Sequence, residues 1–414
     1  MTDESRPVLL MTGGHTTQPL WPHLAETYDI CMAHPQMTQL MADMGIKGAF
    51  GIQKYLNSDA QEDAVNTAYA MTAKLYQPEV SASIVNTIAN AFNGDGVPEN
   101  LREPQVMQWW PAMVGEHLRQ EVLLGNMLNR LSIDRKVSGC VVHEDVTPDA
   151  RTIVQFCNSR GIATIHIPHA NCYYIGDGWD IHTESISAFI AASGEYMRDW
   201  YVKWGYPADR ITITGMPQLD SWYSQHRLSK QEARRVLGVD QDAFLLIYAT
   251  SWGQMTSTRG GFDEEFSDSL RQVMETAKEM NAVLCVKMHP GEGQGQEQGY
   301  LDTLKKNNIT GFVTRQFNEY VLAAGDALVA HGPSNICLSA AAIGLPSVFI
   351  GTEDFTFPIP GPVLSRDNVT HAIRIAMMLD KTKVWDEFAK QMNASHPVGG
   401  ACERITEFVK TVCH

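Results

Sequence analysis

The sequence lacks the features that mark a membrane-spanning or a secreted protein. No apolar run approaches the ~20 residues that a transmembrane helix needs. The first six residues, Met1–Arg6, lack the basic start and the long apolar core of a secretory signal. These absences predict a cytoplasmic protein without a membrane span.

Positive charge is also scarce. The chain has 32 Lys and Arg against 47 Asp and Glu, which gives a net charge of −15. Residues 1–222 carry 14 against 25, a net charge of −11, and the remainder carries 18 against 22, a net charge of −4. Because phosphate-rich polymers are bound by clustered Lys and Arg, this balance disfavours a nucleic acid or a polyphosphate as a partner.

Cysteine patterns typical of metal sites are absent. The eight cysteines show no Cys-x-x-Cys spacing, and most lie in apolar runs that predict small buried thiols. The clearest examples are Cys140, Cys157, Cys285 and Cys337. No Asp-x-Asp motif follows a predicted strand, so we expect no metal site.

The most informative segment lies between residues 245 and 350, where four short apolar runs each end in a polar turn. The runs are Leu245–Ala249, Val283–Met288, Ala327–Ala330 and Ser347–Ile350. Runs of this kind, separated by segments of helical length, predict buried parallel strands in βαβ units. Ligands of such sheets bind beyond the carboxyl ends of the strands. With 414 residues and 44% hydrophobic content, the chain is long enough for two domains.

The first half shows the same alternation. Pro7–Met11 predicts a strand that leads into a glycine-containing loop, Ser138–Val142 a second strand and Ala163–Ile167 a third. Residues 36–135 are expected to be largely helical. The ends of the second and third strands place three side chains on one edge of the sheet, namely Glu144, Asp145 and His169.

Five motifs carry a family resemblance. They are Ala249–Trp252, Lys287–Pro290, Gly332–Asn335, Gly344–Pro346 and the junction Arg210–Asp220. Together they cover roughly residues 140–350 and resemble glycosyltransferases of the GT-B fold. The chain looks most similar to CDP-glycerol glycerophosphotransferases and bacterial capsule sialyltransferases, and non-hydrolysing UDP-N-acetylglucosamine 2-epimerases share the architecture.

The resemblance implies an α/β protein with two Rossmann-like domains that face each other across a cleft. The expected boundaries are an acceptor domain at 1–222 with a helical insert at about 36–135, a donor domain at 223–400, and a last helix at 401–414 that crosses back. The implied reaction moves a sugar or a polyol phosphate from a nucleotide-activated donor, UDP-, CDP- or CMP-linked, to a hydroxyl acceptor. No cofactor or metal ion is implied.

The donor is expected to contact residues at the strand ends of the second domain. His289 is placed to donate a hydrogen bond to the donor phosphate, and Ser334 and Asn335 open a helix whose N-terminus favours anions. The full candidate set is Thr250, Ser251, Lys287, His289, His331, Gly332, Ser334, Asn335, Glu353 and Asp354. Ser339 stands where many relatives carry an acid that binds ribose, and Glu353 or Asp354 is the expected substitute.

The general base is left open between two kinds of residue. In the glycerophosphotransferases a His at the position of His169 serves as the base, and in the sialyltransferases a carboxylate at the position of Glu144 or Asp145 does so. The sequence departs from both patterns, with Ala170 and Asn171 after the His and Val146 after the acids. The loop of Gly13 and Gly14 is the expected acceptor loop, and His15 is a further candidate.

Three other functions compete with a transferase. A 2-epimerase shares the fold, but its acidic cluster and Arg pattern are not apparent. A GT-B enzyme that glycosylates hydroxymethylated DNA is disfavoured by charge. The third is a nucleotide-binding module without catalysis.

Overall fold

The computed structural model describes residues 6–14, 16–83, 103–169, 185–220, 228–250, 264–293, 295–316, 318–331, 334–350, 363–365, 368–380, 383 and 399–413. The chain forms two compact units. The first comprises residues 1–167, 184–190 and 406–414, and the second comprises 168–183 and 191–405. The domain boundary between residues 222 and 223 stays a prediction.

A seven-stranded sheet contains the first group of strands. The strands, β1 to β7 in chain order, are Val8–Met11, Asp29–Met32, Ala49–Gly51, Val137–Val142, Ala163–His166, Phe189–Ala192 and Ile211–Ile213. Their order across the sheet is β3-β2-β1-β4-β5-β6-β7. The pairs from β3 to β6 are parallel. Every residue of β1, β2 and β4 is buried, as parallel strands covered on both faces require.

Seven helices of the described ranges accompany these strands. Helices α1 to α7 are Trp21–Leu24, Pro35–Asp43, Ser58–Leu75, Glu103–Asp134, Pro148–Asn158, Glu195–Lys203 and Pro217–Asp220. The residues that α4 buries, such as Leu128 and Leu131, pack into one core cluster with β1 and β4. No helix in the described ranges combines the length and the apolar character that crossing a membrane would take.

A second, six-stranded sheet follows. Strands β8 to β13 are Leu245–Ala249, Val283–Lys287, Gly311–Thr314, Ala327–His331, Ser347–Ile350 and Val363–Ser365. Their order is β10-β9-β8-β11-β12-β13, and all the pairs are parallel. Helices α8 to α14 are Lys230–Leu237, Glu264–Glu279, Gln296–Lys306, Asn318–Ala324, Asn335–Ala342, Val369–Met378 and Ala401–Val412.

Local sequence explains where several helices begin and end. Helix α8 starts with a reciprocal capping box between Ser229 and Glu232 and ends at Gly238, whose φ of 67° is the left-handed conformation that favours glycine. The N-terminus of α14 is capped from a distance, because Asp220 accepts hydrogen bonds from the backbone N–H groups of Ala401 (3.1 Å) and Cys402 (2.7 Å). Asp220 is the final residue of the junction motif, so its carboxylate fixes the last helix.

The predicted fold class is confirmed, with one correction inside the helical insert. The four apolar runs of residues 245–350 and the three of the first half all form strands. Residues 36–135 do hold α2, α3 and α4, but they also contain β3, which pairs with β2 from Ala49 to Gly51. A three-residue strand is too short for an alternating pattern to reveal. The four cysteines that we expected to be buried are buried.

Candidate functional site

Polar side chains collect at the carboxyl ends of three neighbouring strands of the second sheet. Strand β8 lies between β9 and β11. Thr250 follows β8, His289 follows β9, and His331 is the last residue of β11. All three strands run parallel, so their carboxyl ends share one edge of the sheet, which is where α/β proteins of this kind bind ligands.

His289 is held as a neutral imidazole of defined tautomer. The backbone N–H of Gly291 donates a hydrogen bond to Nδ1 of His289 (3.1 Å), so Nδ1 bears the lone pair and the ring proton lies on Nε2. No hydrogen-bond partner for Nε2 lies within the described ranges. Burial, Lys287 and His169 lower the pKa of His289. The ring therefore offers an N–H donor without carrying a charge.

Lys287 lies inside the protein beside this histidine. Its side chain is only 6% exposed, and its ammonium group donates to the carbonyl oxygen of Met288 (2.9 Å). Burial lowers the pKa of Lys287. No carboxylate within the described part of the chain lies within 4 Å of the ammonium group. Among the described residues, one of its three N–H donors has a hydrogen-bond acceptor.

Thr250 has a different place from the one expected. We predicted that it binds the donor, but its side chain is buried, donates to Glu292 Oε2 (3.0 Å) and accepts from the backbone N–H of His289 (2.8 Å). Both hydrogen-bonding roles of the hydroxyl are thus used within the protein. Thr250 supports the His289 turn, and its contact with the donor stays a prediction.

The start of α12 brings three candidate residues together. Ser334 is the N-cap residue, yet its side chain makes no capping hydrogen bond, which sets it apart from an ordinary cap. The side-chain amide of Asn335 donates to the carbonyl oxygen of His169. His169 also lies close enough to His289 to lower its pKa. His169 and Asn335 are therefore neighbours, and His289 is near them in the same unit.

The remaining donor candidates divide into two groups. His331 is half-buried, and its Nδ1 shares a hydrogen bond with Ser269 on α9 (3.1 Å). Ser339 is buried, and its hydroxyl donates back to the carbonyl of Asn335 (3.4 Å), so it does not replace the acid of the relatives. The other four donor candidates, Ser251, Gly332, Glu353 and Asp354, lie outside the described residues, as does His15, the further candidate in the acceptor loop.

In the first unit, Asp145 is a buried structural acid. Its side chain has no exposed surface, and Oδ2 accepts hydrogen bonds from the hydroxyls of Ser185 (2.7 Å) and Ser187 (2.8 Å). The same oxygen accepts from the backbone N–H groups of Ile186 and Ser187, both at 3.0 Å. Burial would raise the pKa of Asp145, but nearby His166 and these hydrogen bonds lower it. This geometry removes Asp145 from the candidates for the base.

Glu144 differs from its neighbour in exposure. It is half-buried, whereas Asp145 is enclosed. Its role as a base stays a prediction.

The glycines of the first loop are needed for packing. A Cβ atom on Gly13 would lie 2.0 Å from Cγ of Met37, and one on Gly14 would lie 2.9 Å from Cδ2 of His143. The His143 ring is fixed in turn by Thr12, whose hydroxyl lies 2.9 Å from Nδ1. Because Gly13 and Gly14 have no side chains, the loop fits between Met37 of α2 and His143, which follows β4.

A histidine–aspartate pair on the same edge of the first sheet was missed in the sequence. Nε2 of His34, just after β2, lies 3.2 Å from Oδ2 of Asp149 at the start of α5, with 43% and 31% of the side chains exposed. The hydrogen bond to Asp149 raises the pKa of His34, and the bond to His34 lowers the pKa of Asp149 to about 2. Two sequence patterns could have predicted this pair, namely His34-Pro35 after β2 and Thr147-Pro148-Asp149 after β4.

No cluster of three or more His, Cys, Asp and Glu side chains suited to a metal ion occurs in the described ranges.

Comparison with known protein families gives a match that includes several of these site residues. Residues 169–331 match the model of the CDP-Glycerol:Poly(glycerophosphate) glycerophosphotransferase family. The matched segment begins at His169 and ends at His331, and it includes Thr250, Lys287 and His289. No curated protein matched the chain.

Solved structures show the same architecture at low sequence identity. UDP-GlcNAc 2-epimerase from Methanocaldococcus jannaschii is 13% identical, with 98% of this chain and 99% of that chain covered and a TM-score of 0.58. The UDP-GlcNAc 2-epimerase from Neisseria meningitidis, bound to UDP-GlcNAc, is 14% identical, with 98% and 100% covered and a TM-score of 0.57. A variant of the wall teichoic acid polymerase TagF, soaked with CDPG, is 12% identical, with 98% and 88% covered and a TM-score of 0.54.

These matches confirm the resemblance seen in the motifs. The chain has the GT-B fold, and its residues 169–331 match the glycerophosphotransferase family model.

Proposed function

We propose that this protein is a GT-B transferase that moves a polyol phosphate or a sugar from a nucleotide-activated donor to a hydroxyl acceptor. The observation that carries the proposal is the grouping of His169, Asn335 and His289 within the segment of the family match and the helix that follows it. A CDP-linked polyol is the first donor to test, because the matched family is described by that donor.

The donor phosphates are assigned to the edge of the second sheet. The Nε2–H of His289 and the ammonium group of Lys287 supply donors, and the N-terminus of α12 adds backbone N–H groups with an uncapped Ser334 hydroxyl. Such groups stabilise the charge that develops on the leaving nucleoside phosphate. We propose that they do so without a metal ion or another cofactor.

The base is assigned to His169. In the proposed step the acceptor oxygen attacks the donor phosphorus or the anomeric carbon, its proton passes to the His169 imidazole, and the bond to the nucleoside phosphate breaks. A neutral imidazole suits this role near pH 7 because its ordinary pKa is close to that value. Glu144 is the alternative base.

The test is donor consumption with purified protein. CDP-glycerol, UDP-sugars and CMP-sugars are each incubated with and without a hydroxyl acceptor, in the presence of EDTA, and the nucleotide product is quantified. A transferase releases nucleoside phosphate in an acceptor-dependent manner. Formation of a new nucleotide sugar without any acceptor would instead identify a 2-epimerase, and turnover that requires duplex DNA would identify a DNA glycosyltransferase.

A further inference from the structure

A buried acid lies directly behind the turn that carries His289. Glu292 is 4% exposed, and each of its carboxylate oxygens accepts one hydrogen bond from a buried hydroxyl. Tyr300 of α10 donates to Oε1 (2.8 Å) and Thr250 donates to Oε2 (3.0 Å). The acid therefore connects the end of β8, the turn after β9 and helix α10.

The carboxylate is the nearer of two acceptors for the Thr250 hydroxyl, at 3.0 Å against 3.5 Å for the carbonyl oxygen of Lys287. This hydroxyl has one proton, and when the proton is given to Glu292 the oxygen is left as an acceptor. It accepts from the backbone N–H of His289 (2.8 Å), while the backbone N–H of Glu292 donates to the carbonyl oxygen of His289 (3.0 Å). The Glu292 side chain thus acts on the backbone N–H of His289 through Thr250, whereas the carbonyl oxygen of His289 is held by the backbone N–H of Glu292.

The conformation of this backbone turn determines the tautomer of the His289 ring. Gly291 lies between His289 and Glu292, and its N–H meets Nδ1 of the imidazole only in this turn. A backbone amide can only donate, so the turn selects the Nε2–H tautomer. Burial disfavours a second proton on the ring, and so do two nearby titratable groups, Lys287 and His169.

We infer that Glu292 is the positioning residue for His289, holding the turn in the form that directs an uncharged Nε2–H toward the donor phosphate. Glu292 does not touch a ligand, because it is enclosed by Thr250, Tyr300 and the turn itself. Arg315 closes the other side by donating from Nη1 to the backbone carbonyl of Glu292 (2.9 Å). The tautomer is a property of the folded protein, whereas its use rests on the proposed function.

Matched variants separate positioning from simple stabilisation. Thr250→Val breaks the connection from Glu292 to His289 and keeps the bond between Glu292 and Tyr300. Tyr300→Phe does the reverse and serves as the control, since it removes one hydrogen bond from the same carboxylate. Glu292→Ala removes both connections, and Thr250→Ser restores the hydroxyl.

The readout is the pair of ring 15N shifts of His289, followed across pH and assigned with His289→Ala. Wild type, Tyr300→Phe and Thr250→Ser are expected to show the Nε2–H form with a pKa below the ordinary value of 6.5. Thr250→Val and Glu292→Ala are expected to show a mixture of the Nδ1–H and Nε2–H tautomers of His289. Their kcat/KM for the donor should fall by up to about a hundredfold, the usual effect of a misplaced catalytic group.

Two results bear on different claims. If Thr250→Val folds and keeps the wild-type shifts and kcat/KM, Glu292 is only a stabilising residue and the inference is overturned. Should Glu292→Ala fail to fold, the comparison of Thr250→Val with Tyr300→Phe still decides the matter. If wild-type protein consumes no nucleotide donor, the proposed function fails, but the tautomer comparison remains interpretable.

Discussion

Asp145 offers the sharpest contrast between a structural and a catalytic carboxylate. Substitution by Ala removes the acceptor of four donors, from Ser185, Ile186 and Ser187, and leaves His166 without its acidic neighbour. Each donor left without an acceptor costs about 1–3 kcal/mol, so removing the acceptor of this network costs about 3–5 kcal/mol. We therefore expect Asp145→Ala to lower the free energy of unfolding by that amount.

Asp145→Asn provides the graded comparison. The amide oxygen can replace Oδ2 and keep the four donors, while the amide nitrogen turns toward Nδ1 of His166, 3.7 Å from Oδ1. Neutral hydrogen bonds are roughly half as strong as charge-assisted ones, so the expected loss is about 1–2 kcal/mol. Urea titrations followed by circular dichroism measure both values.

The effect of pH on this loss has a defined sign. The pKa of Asp145 is lowered in the folded protein, so its ionised form stabilises the fold above the ordinary Asp pKa. That contribution is lost as pH falls through the lowered pKa. The difference in the free energy of unfolding between wild type and Asp145→Asn should therefore become smaller in acid. The rate at which Asp145→Asn turns over the donor, measured at a low concentration of denaturant, should stay within a few-fold of the wild-type rate. An Asn variant with wild-type stability and a loss of turnover of a hundredfold or more would show that Asp145 is the base after all.

Three further predictions follow from the contacts at the two sheet edges. His289→Ala should lower donor turnover about a hundredfold or more with little change in the urea midpoint, and normal turnover would place the donor elsewhere. Asp149→Asn should bring the raised pKa of His34 back toward 6.5 in an NMR titration, because the carboxylate is the main cause of the shift; an unchanged pKa would contradict the pairing. Gly13→Ala should cost about 1–3 kcal/mol through overpacking against Met37, and Met37→Ala in the same chain should restore part of it; additive losses would refute the clash.

The strands could be predicted because buried parallel strands are continuous apolar runs. Leu245–Ala249 shows this directly, and Val283–Lys287 does so up to its last residue, the site residue Lys287. Strand β3 could not be predicted, because three residues at a sheet edge carry no periodic signal. The left-handed conformation of Gly238, by contrast, follows from its place after a capped helix.

The location of the site at the ends of the strands could be predicted from the sequence, but the roles of its individual residues could not. His289 could be found because its motif follows a strand. Glu292 could not, because its burial depends on Thr250, 42 residues earlier, and on Tyr300 in the next helix. The same limit applies to Asp145, since adjacent acids in sequence give no sign of which one faces the interior.

The most direct test of the account measures acceptor-dependent release of CMP from CDP-glycerol by wild type and His169→Ala at a saturating donor concentration. If His169 is the base, both proteins bind CDP-glycerol with similar affinity in calorimetry. We then expect His169→Ala to release CMP roughly 10²–10⁴-fold more slowly, with loss of the acidic limb of the pH–rate profile. Equal rates for the two proteins, or release that does not depend on an acceptor, would contradict it.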